Sequence, residues 1–421
     1  MRYNWKEIKR MIDYYETKAH PITKRMVLDG YKQIRANGRA AGVDGVSLDE
    51  FAKDLKGNLY KLWNRMTSGS YYPKSLREKK IDKGGGKFRS LGIPCVEDRI
   101  AQSVMKTYLE PLAEPTFHED SYGYRPKRHA HQAIKKAYLR GYRRCWILDI
   151  DIRSFFDTID HELMMKAVKR YTQEKWVLMY IERWLKGGML MEDGTMIKKE
   201  EGSGQGSVIS PLLSNIYLHF VFDKWMQKNY PDIMFERYCD DIIVHCDYKR
   251  RAIQLKRTIA ERFEGCKLEM NVDKTQIVYC KRPGNKGRIV HEKSSFDFLG
   301  YTFKPRLWAT PYGMAVLTMP TMSTKAKKRI AKEIRDWKLH FTTGTIQRLA
   351  RIINPKTRGW INYYCEFGKW GTTGLWRDLN FKLTRWVMGQ KGIGFRRAHK
   401  WLKRVYAVQP NLFAHWGIVH P

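Results

Sequence analysis

Trp146-Ile147-Leu148-Asp149-Ile150-Asp151-Ile152-Arg153-Ser154-Phe155-Phe156-Asp157 is an apolar run interrupted by two carboxylates at alternate positions. Side chains alternate between the faces of a strand, so Asp149 and Asp151 share one face. A second stretch, Arg237-Tyr238-Cys239-Asp240-Asp241-Ile242-Ile243-Val244, sets two adjacent acids inside another apolar strand. In unbroken extended chain these two point to opposite faces, whereas a turn lets both approach one point. The apolar residues from Phe235 to Cys246 favour a hairpin with the acids at its tip. Carboxylates partly desolvated by Ile and Val are costly unless neutralised. A divalent cation neutralises them, and Mg²⁺ in particular takes a few carboxylates together with substrate phosphates. Taken alone, an Asp-Asp pair is more often an ordinary turn or helix cap. The series of motifs around the two strands decides between these readings.

Outward from the strands, residues 1 to about 70 read as helices, with Trp5, Ile8 and Ile12 at helical spacing and breaks at Pro21, Gly38 and Gly42. Residues 71–100 read as a hairpin, in which Gly84-Gly85-Gly86 turns between Lys80-Ile81-Asp82 and Phe88-Arg89-Ser90-Leu91-Gly92-Ile93-Pro94. Helical patterns follow at 96–113, at 129–140 and from Asp160. The turn Gly202-Ser203-Gly204-Gln205-Gly206 precedes a helix whose apolar residues Val208, Leu212, Ile216 and Phe220 repeat every four. A helix near 249–264 and strands near 268–280 and 296–303 complete an alternating α and β region. Beyond Pro320 the chain becomes helical and far more basic, with 21 Lys/Arg against 4 Asp/Glu in residues 321–421. A domain boundary is expected where composition shifts, at about 310–320.

The 421 residues carry 79 Lys+Arg against 43 Asp+Glu, a formal charge of +36 with no acidic block to offset it. Such a surface calls for a polyanionic partner, nucleic acid before all others, rather than serving solubility alone. The 43% hydrophobic and 13% aromatic content excludes disorder. No apolar run approaches the ~18 residues of a membrane span, and the first residues lack the apolar stretch of a signal peptide. The seven cysteines are scattered, with none at zinc-knuckle spacing, and read as reduced thiols. The expectation is a soluble, cytoplasmic, nucleic-acid-associated protein.

Asp151-Ile152-Arg153-Ser154-Phe155-Phe156-Asp157, the loop Gly204-Gln205-Gly206-Ser207-Val208-Ile209-Ser210-Pro211-Leu212-Leu213-Ser214-Asn215 and Tyr238-Cys239-Asp240-Asp241 resemble the palm motifs of reverse transcriptases. Leu91-Gly92-Ile93-Pro94, Ser121-Tyr122-Gly123-Tyr124-Arg125-Pro126 and Phe298-Leu299-Gly300-Tyr301 extend the series. With Gly42-Val43-Asp44-Gly45 upstream and Arg358-Gly359-Trp360-Ile361-Asn362-Tyr363-Tyr364 downstream, the ordered set resembles group II intron-encoded reverse transcriptase/maturases over nearly the whole chain.

The resemblance implies that Asp151, Asp240 and Asp241 are catalytic and hold two Mg²⁺ ions, with the Ile152 carbonyl as a further ligand. Asp149 is outside that triad and is expected to tune the field or cap a turn. Phe156 matches the ring that excludes a 2′-hydroxyl from the incoming sugar. Lys83 and Arg89, flanking the glycine turn, match the triphosphate contacts, as a point charge and a fork respectively. Gln205 matches the nucleotide-facing glutamine, and Gly204 and Gly206 admit backbone close to the template base. Lys274 matches the basic residue that meets pyrophosphate, as acid or as counter-charge. Phe298, Leu299 and Gly300 match the primer grip. Two positions depart from the family pattern: Gly204 stands where proline is usual, which loosens the loop, and Cys239 where alanine is usual.

Between Thr324 and Phe341, the residues Ile330, Ile334, Trp337 and Phe341 are spaced along one helical face, with basic residues over much of the remainder. By resemblance this segment is the thumb, or maturase domain, and Lys325, Lys328, Arg329, Lys332 and Arg335 are its nucleic-acid contacts. The last residues, with Arg396 and Arg397, look like a short basic DNA-binding segment suited to stacking and phosphate contact. The expectation is an α+β right hand: residues 1–70 a helical extension and the start of the fingers, 71–315 fingers and an antiparallel palm, 316–394 a helical thumb, and 395–421 a basic tail. The implied function, in a protein of bacterial type, is copying an RNA template into DNA from a DNA or RNA primer and dNTPs. Binding of group II intron RNA for splicing and mobility is implied with it, and an endonuclease domain and a membrane are not. An intron-free reverse transcriptase in repair or defence and a non-catalytic RNA-binding splicing factor are the alternatives.

Overall fold

The computed structural model describes residues 20–36, 40–84, 86–280, 293–310 and 313–421. The expected helical positions Trp5, Ile8 and Ile12 lie outside them. Thr23 caps α1 (Lys24–Arg35) by accepting from the Met26 N–H, and Val27, Tyr31 and Ile34 fall on its buried face. Ser47 and Asp54 cap α2 (Leu48–Lys53) and α3 (Leu55–Thr67) in the same way. The glycine-turned hairpin forms as expected from β1 (Leu76–Gly84) and β2 (Lys87–Ile93), in antiparallel register from Arg77 opposite Ile93. It leads into α4 (Val96–Ala113), where Ile100, Val104, Met105 and Leu109 are buried at helical spacing.

After α5 (Ala130–Arg143) come β3 (Trp146–Ile150), α6 (His161–Val168) and α7 (Lys175–Leu185). The two-residue strands β4 (Met189–Leu190) and β5 (Met196–Ile197) extend the hairpin into a sheet of order β2-β1-β4-β5. A single rod then runs through α8 (Ser210–Leu218), a π-helical turn over His219–Asp223, and α9 (Lys224–Asn229). Next are β6 (Met234–Tyr238), β7 (Asp241–Cys246), α10 (Lys249–Glu264) and β8 (Gln276–Tyr279). β9 (Phe296–Phe298), β10 (Tyr301–Thr310) and β11 (Gly313–Met322) make a three-stranded sheet of order β11-β10-β9.

The central sheet has the order β6-β7-β3-β8 and is antiparallel throughout. Both of its faces are covered, which is why its strands read as continuous apolar runs rather than alternating ones. Leu148, Ile150, Ile242 and Val244 pack into the core that contains Ile216, Phe222, Leu255 and Phe263. Ile147, Ile243 and Val278 face a second core with Ala133 and Ile134 of α5, Phe296 and Phe298 of β9, and the C-terminal helices. Because Ile147 and Ile243 lie on that second face, so does Asp149, which is directly opposite Ile243.

The C-terminal helices are α11 (Thr324–Asp336), α12 (Ile346–Tyr364), α13 (Thr373–Lys391) and α14 (Phe395–Val408). Ser323 caps α11, which buries Ile330 and Ile334. Trp337 stacks on Trp360 with centroids 5.6 Å apart. Phe341, expected on the same face, is 74% exposed: the helix ends at Asp336, and Lys338 turns left-handed at φ 46°, so the spacing no longer carries that far. The composition shift at 310–320 falls inside the β10–β11 hairpin, which packs as one piece with the helices after it.

Residues 395–421, expected as a tail, join the same core. Ala398, Leu402, Phe413 and Trp416 are buried there. Asn354 Nδ2 donates to the Leu412 carbonyl at 2.8 Å, and Asn380 Nδ2 donates to the Val419 carbonyl at 3.1 Å. All seven cysteines are free thiols. Among the described residues no helix is long and apolar enough to cross a membrane.

Candidate active site

The end of the sheet that holds the acids is built by a two-residue hairpin. Tyr238 pairs with Asp241, leaving Cys239 and Asp240 as the loop. Cys239 is left-handed at φ 59°, a conformation that costs an L residue about 1–2 kcal/mol and that a tight hairpin demands. The turn reading of Asp240-Asp241 therefore holds. Ile150 of β3 pairs with Ile242 of β7, so the next residue along β3, Asp151, comes up beside Asp241 at the end of the sheet.

Charge records the same convergence. Asp241 is open to solvent on one side while protein crowds its carboxyl on the others. That crowding, followed by the Asp240 and Asp151 carboxylates, pushes its pKa up to about 6, against the pull of Lys274. Burial does more at Asp149, together with Asp241, Asp151 and Asp297. Its pKa reaches about 7 although Gln276 Nε2 donates to it at 2.9 Å. Asp149 thus lies on the same face as Asp151, at the next same-face position away from the turn, and is held by Gln276. Lys274 Nζ donates to both Asp151 oxygens at 3.0 and 3.2 Å, and the Asp151 N–H donates to Thr275 Oγ1 at 3.2 Å. Among the described residues no three His, Cys, Asp or Glu side chains already close into a metal-holding group. The donor set nonetheless suits a hard cation: carboxylate oxygens that raise one another's affinity for positive charge, at an edge open to solvent. The Ile152 carbonyl adds an oxygen beside Asp151, on a segment fixed by backbone bonds from Arg153 N–H to Glu269 and from Asn271 N–H to Asp151.

The other expected residues fall into three groups. Phe155 and Phe156 pack edge to face with centroids 5.3 Å apart, at 2% and 8% exposure, so Phe156 is the shallower ring. Arg89 donates through Nε to Gln205 Oε1, and the Gln205 carbonyl accepts from the Gly92 N–H at 2.7 Å. Gln205 Nε2 in turn reaches the Asp157 carboxylate at 3.4 Å. Arg89 and Asp240 both act on Tyr124, whose hydroxyl is pushed above the phenol range first by burial, then by Cys239 and Asp240, with Arg89 opposing. The Lys83 side chain lies outside the described residues.

The turn after β9 is the third group. Leu299 and Gly300 both have positive φ, 50° and 78°, as a two-residue hairpin between Phe298 and Tyr301 requires. The Leu299 carbonyl accepts from the Tyr363 hydroxyl at 2.8 Å, and the Gly300 carbonyl accepts from the Ser323 N–H at 3.0 Å. A Cβ on Gly300 would stand 3.1 Å from the Tyr364 hydroxyl. Helix α12 thus holds this turn through the Tyr363 hydroxyl, with Tyr364 close against Gly300. Lys325, Lys328, Arg329, Lys332 and Arg335 are exposed on α11, and Arg396 and Arg397 are exposed on α14. Asp157 and Gln276 were not singled out in the sequence: each is an ordinary polar residue whose role appears only through its partner.

Residues 81–303 match the family described as Reverse transcriptase (RNA-dependent DNA polymerase), and residues 327–406 match the Group II intron, maturase-specific domain. Protein YkfC of Escherichia coli strain K12 is 33% identical over 297 residues, 62% of this chain and 74% of YkfC. The group II intron-encoded protein LtrA of Lactococcus lactis subsp. cremoris is 32% identical over 241 residues. That match spans 55% of this chain but 39% of LtrA. Telomerase from Candida albicans in complex with a fragment of telomeric RNA aligns at 13% identity and a TM-score of 0.45, over 87% of this chain and 67% of that one.

Proposed function

The chain belongs to the reverse transcriptase (RNA-dependent DNA polymerase) family and carries the maturase-specific domain of group II intron proteins; from that premise we propose that it copies RNA into DNA at the edge formed by Asp151, Asp240 and Asp241. The observation that carries the assignment is geometric: the pairing of Ile150 with Ile242 and of Tyr238 with Asp241 brings Asp151 beside the Asp240-Asp241 turn, and Lys274 Nζ meets Asp151 there at 3.0 Å. The three carboxylates, with the Ile152 carbonyl, would hold two Mg²⁺ ions. Such ions supply a nucleophilic primer oxygen and stabilise the departing pyrophosphate.

The protein's own groups do the rest. Arg89 and Lys83 draw in the triphosphate, and Arg89 exchanges its bond to Gln205 for a phosphate oxygen. Lys274, now on Asp151, turns to the leaving pyrophosphate once the carboxylate is otherwise neutralised. Phe156 lies beneath the incoming sugar, and Gln205 faces the nucleotide. The Phe298–Gly300 turn, braced by Tyr363, steadies the primer end. The exposed cations of α11, and Arg396 and Arg397 of α14, track phosphates of the template–primer duplex and of group II intron RNA. A labelled DNA primer annealed to RNA, given dNTPs and Mg²⁺, should be extended to the template end, with no extension in EDTA. A protein that binds the hybrid but incorporates no dNTP with either Mg²⁺ or Mn²⁺ would be an RNA-binding factor and not a polymerase.

A further inference from the structure

Arg237 is fully buried in β6 beside the equally buried Glu236, and Asp223 of the π turn is fully buried as well. Its guanidinium spans three pieces of the palm. Nε and Nη2 donate to Asp223 at 2.7 and 2.6 Å in a two-point fork. Nη1 donates to Asn215 Oδ1 at 3.0 Å and to the Cys239 carbonyl at 3.3 Å. Cys239 is the left-handed residue of the acid-bearing turn, and its carbonyl belongs to the peptide that joins it to Asp240. Asn215 passes the contact on: its Nδ2 donates to the Gly123 carbonyl at 2.7 Å. Gly123 lies so close under the turn that a Cβ there would be 2.6 Å from the Cys239 nitrogen.

The helix geometry explains how two side chains of one rod meet one guanidinium. Asn215 and Asp223 are eight residues apart, which leaves them about 80° apart around an unbroken α-helix. The π turn over His219–Asp223 accommodates about one extra residue, so the two side chains come nearly into line. The wider turn makes the anchoring cluster possible, and the cluster has no contact with solvent to justify a charged pair.

We propose that Arg237, fixed by Asp223 and Asn215, is a positioning residue that holds the Cys239–Asp240 turn in its left-handed form and so sets where Asp240 and Asp241 present their oxygens. The proposal rests on the reading of those carboxylates as the metal-holding site. Arginine is required because one planar fork must satisfy Asp223, Asn215 and a backbone carbonyl together; a lysine ammonium reaches at most part of that set. Breaking the anchor lets the turn relax and weakens the hold on the cation, as loss of an outer hydrogen bond does at metal sites in general.

The test uses the full chain with Arg237→Lys and Asp223→Asn, each normalised to active molecules by a single-turnover burst, on a DNA primer and RNA template. The expected result for Arg237→Lys is a rate lowered about 10- to 100-fold and a half-saturating Mg²⁺ concentration raised by about the same factor. Asp223→Asn should shift both in the same direction to a smaller degree, and template–primer affinity should stay unchanged for both. Should Arg237→Lys not fold, Asp223→Asn decides by the same two readings. A folded variant with wild-type rate per active molecule and wild-type Mg²⁺ requirement would make the cluster a structural ion pair only, and overturn the proposal. Asp240→Ala run alongside separates the two claims. Extension by that variant would remove the metal-site reading itself, whereas its inactivity beside an unaffected Arg237→Lys would remove only the positioning role.

Discussion

Under the proposed function, Phe156 serves packing and selectivity at once. It leans on Phe155 but is the less buried of the two, at the end of the segment that begins with Asp151. Phe156→Ala should raise ribonucleotide incorporation relative to deoxyribonucleotide at least about tenfold, a change of ~1.4 kcal/mol in discrimination. It should also destabilise the fold by about 3 kcal/mol because a cavity is left. Competition assays with paired nucleotides, run below the variant's unfolding temperature, check this; unchanged sugar preference would remove the gate. The acids could be read in the sequence because charge inside an Ile- and Val-rich strand has few structural reasons to exist. Arg237 stands in the strand leading into the acidic turn and could have been found by that signal, but its partners Asp223 and Asn215 are distant in sequence. Only the π turn reveals that they meet. Gln205 was legible from its glycine-flanked loop, whereas its bonds to Arg89 and Asp157 follow from the packing of the fingers hairpin on the palm.

Elements were legible where periodicity and turn chemistry agreed, as in the two hairpins and α10, and less so where a single residue ended a pattern, as Lys338 does after α11. The Leu299–Gly300 turn is bonded to Tyr363 of α12 and to Ser323 at the start of α11, and its geometry makes a prediction. Gly300→Ala adds a side chain at φ 78° facing the Tyr364 hydroxyl, and should cost about 1–2 kcal/mol of stability. It should also reduce primer extension more than it reduces RNA binding, since the turn and not α11 is displaced. Thermal unfolding and extension assays on the same preparation separate the two effects.

The C-terminal element predicts a pH dependence. Its His415 bonds Asn380 Oδ1 through Nε2 at 2.8 Å, and burial lowers its pKa to about 3 from the ordinary 6.5. The folded state therefore binds fewer protons than the unfolded one between these values, so this contribution is intact above about pH 6.5 and is lost progressively below it. The unfolding temperature should fall between pH 6.5 and 4, and His415→Phe should flatten that fall; parallel slopes would contradict the assignment. The packing of residues 395–421, expected as a short basic DNA-binding segment, was not legible in the sequence. Composition registers the basic residues of α14 but not the buried Ala398 and Leu402, nor Trp416 beyond it, that join the core of the C-terminal helices.

The chain as a whole carries a formal charge of +36, and a division of labour between that charge and the acidic turn is testable. If the five exposed cations of α11 each neutralise a duplex phosphate, the logarithmic salt slope is near −4.5, and raising salt fourfold weakens binding about 500-fold. Replacing Lys328 and Lys332 together should make the slope shallower by about 1.8, while a flat salt response in the wild-type chain would remove the electrostatic account of its basic surface. Binding and chemistry then depend on different residues, so each can be removed without the other. The most direct measurement is single-turnover extension of a DNA primer on an RNA template by Asp240→Ala, with hybrid affinity measured on the same protein. Loss of extension by at least about 10³-fold, with affinity within about twofold of wild type, is the predicted result. Extension at the wild-type rate, or an equal loss of binding and extension, would contradict a metal-holding edge at Asp151, Asp240 and Asp241.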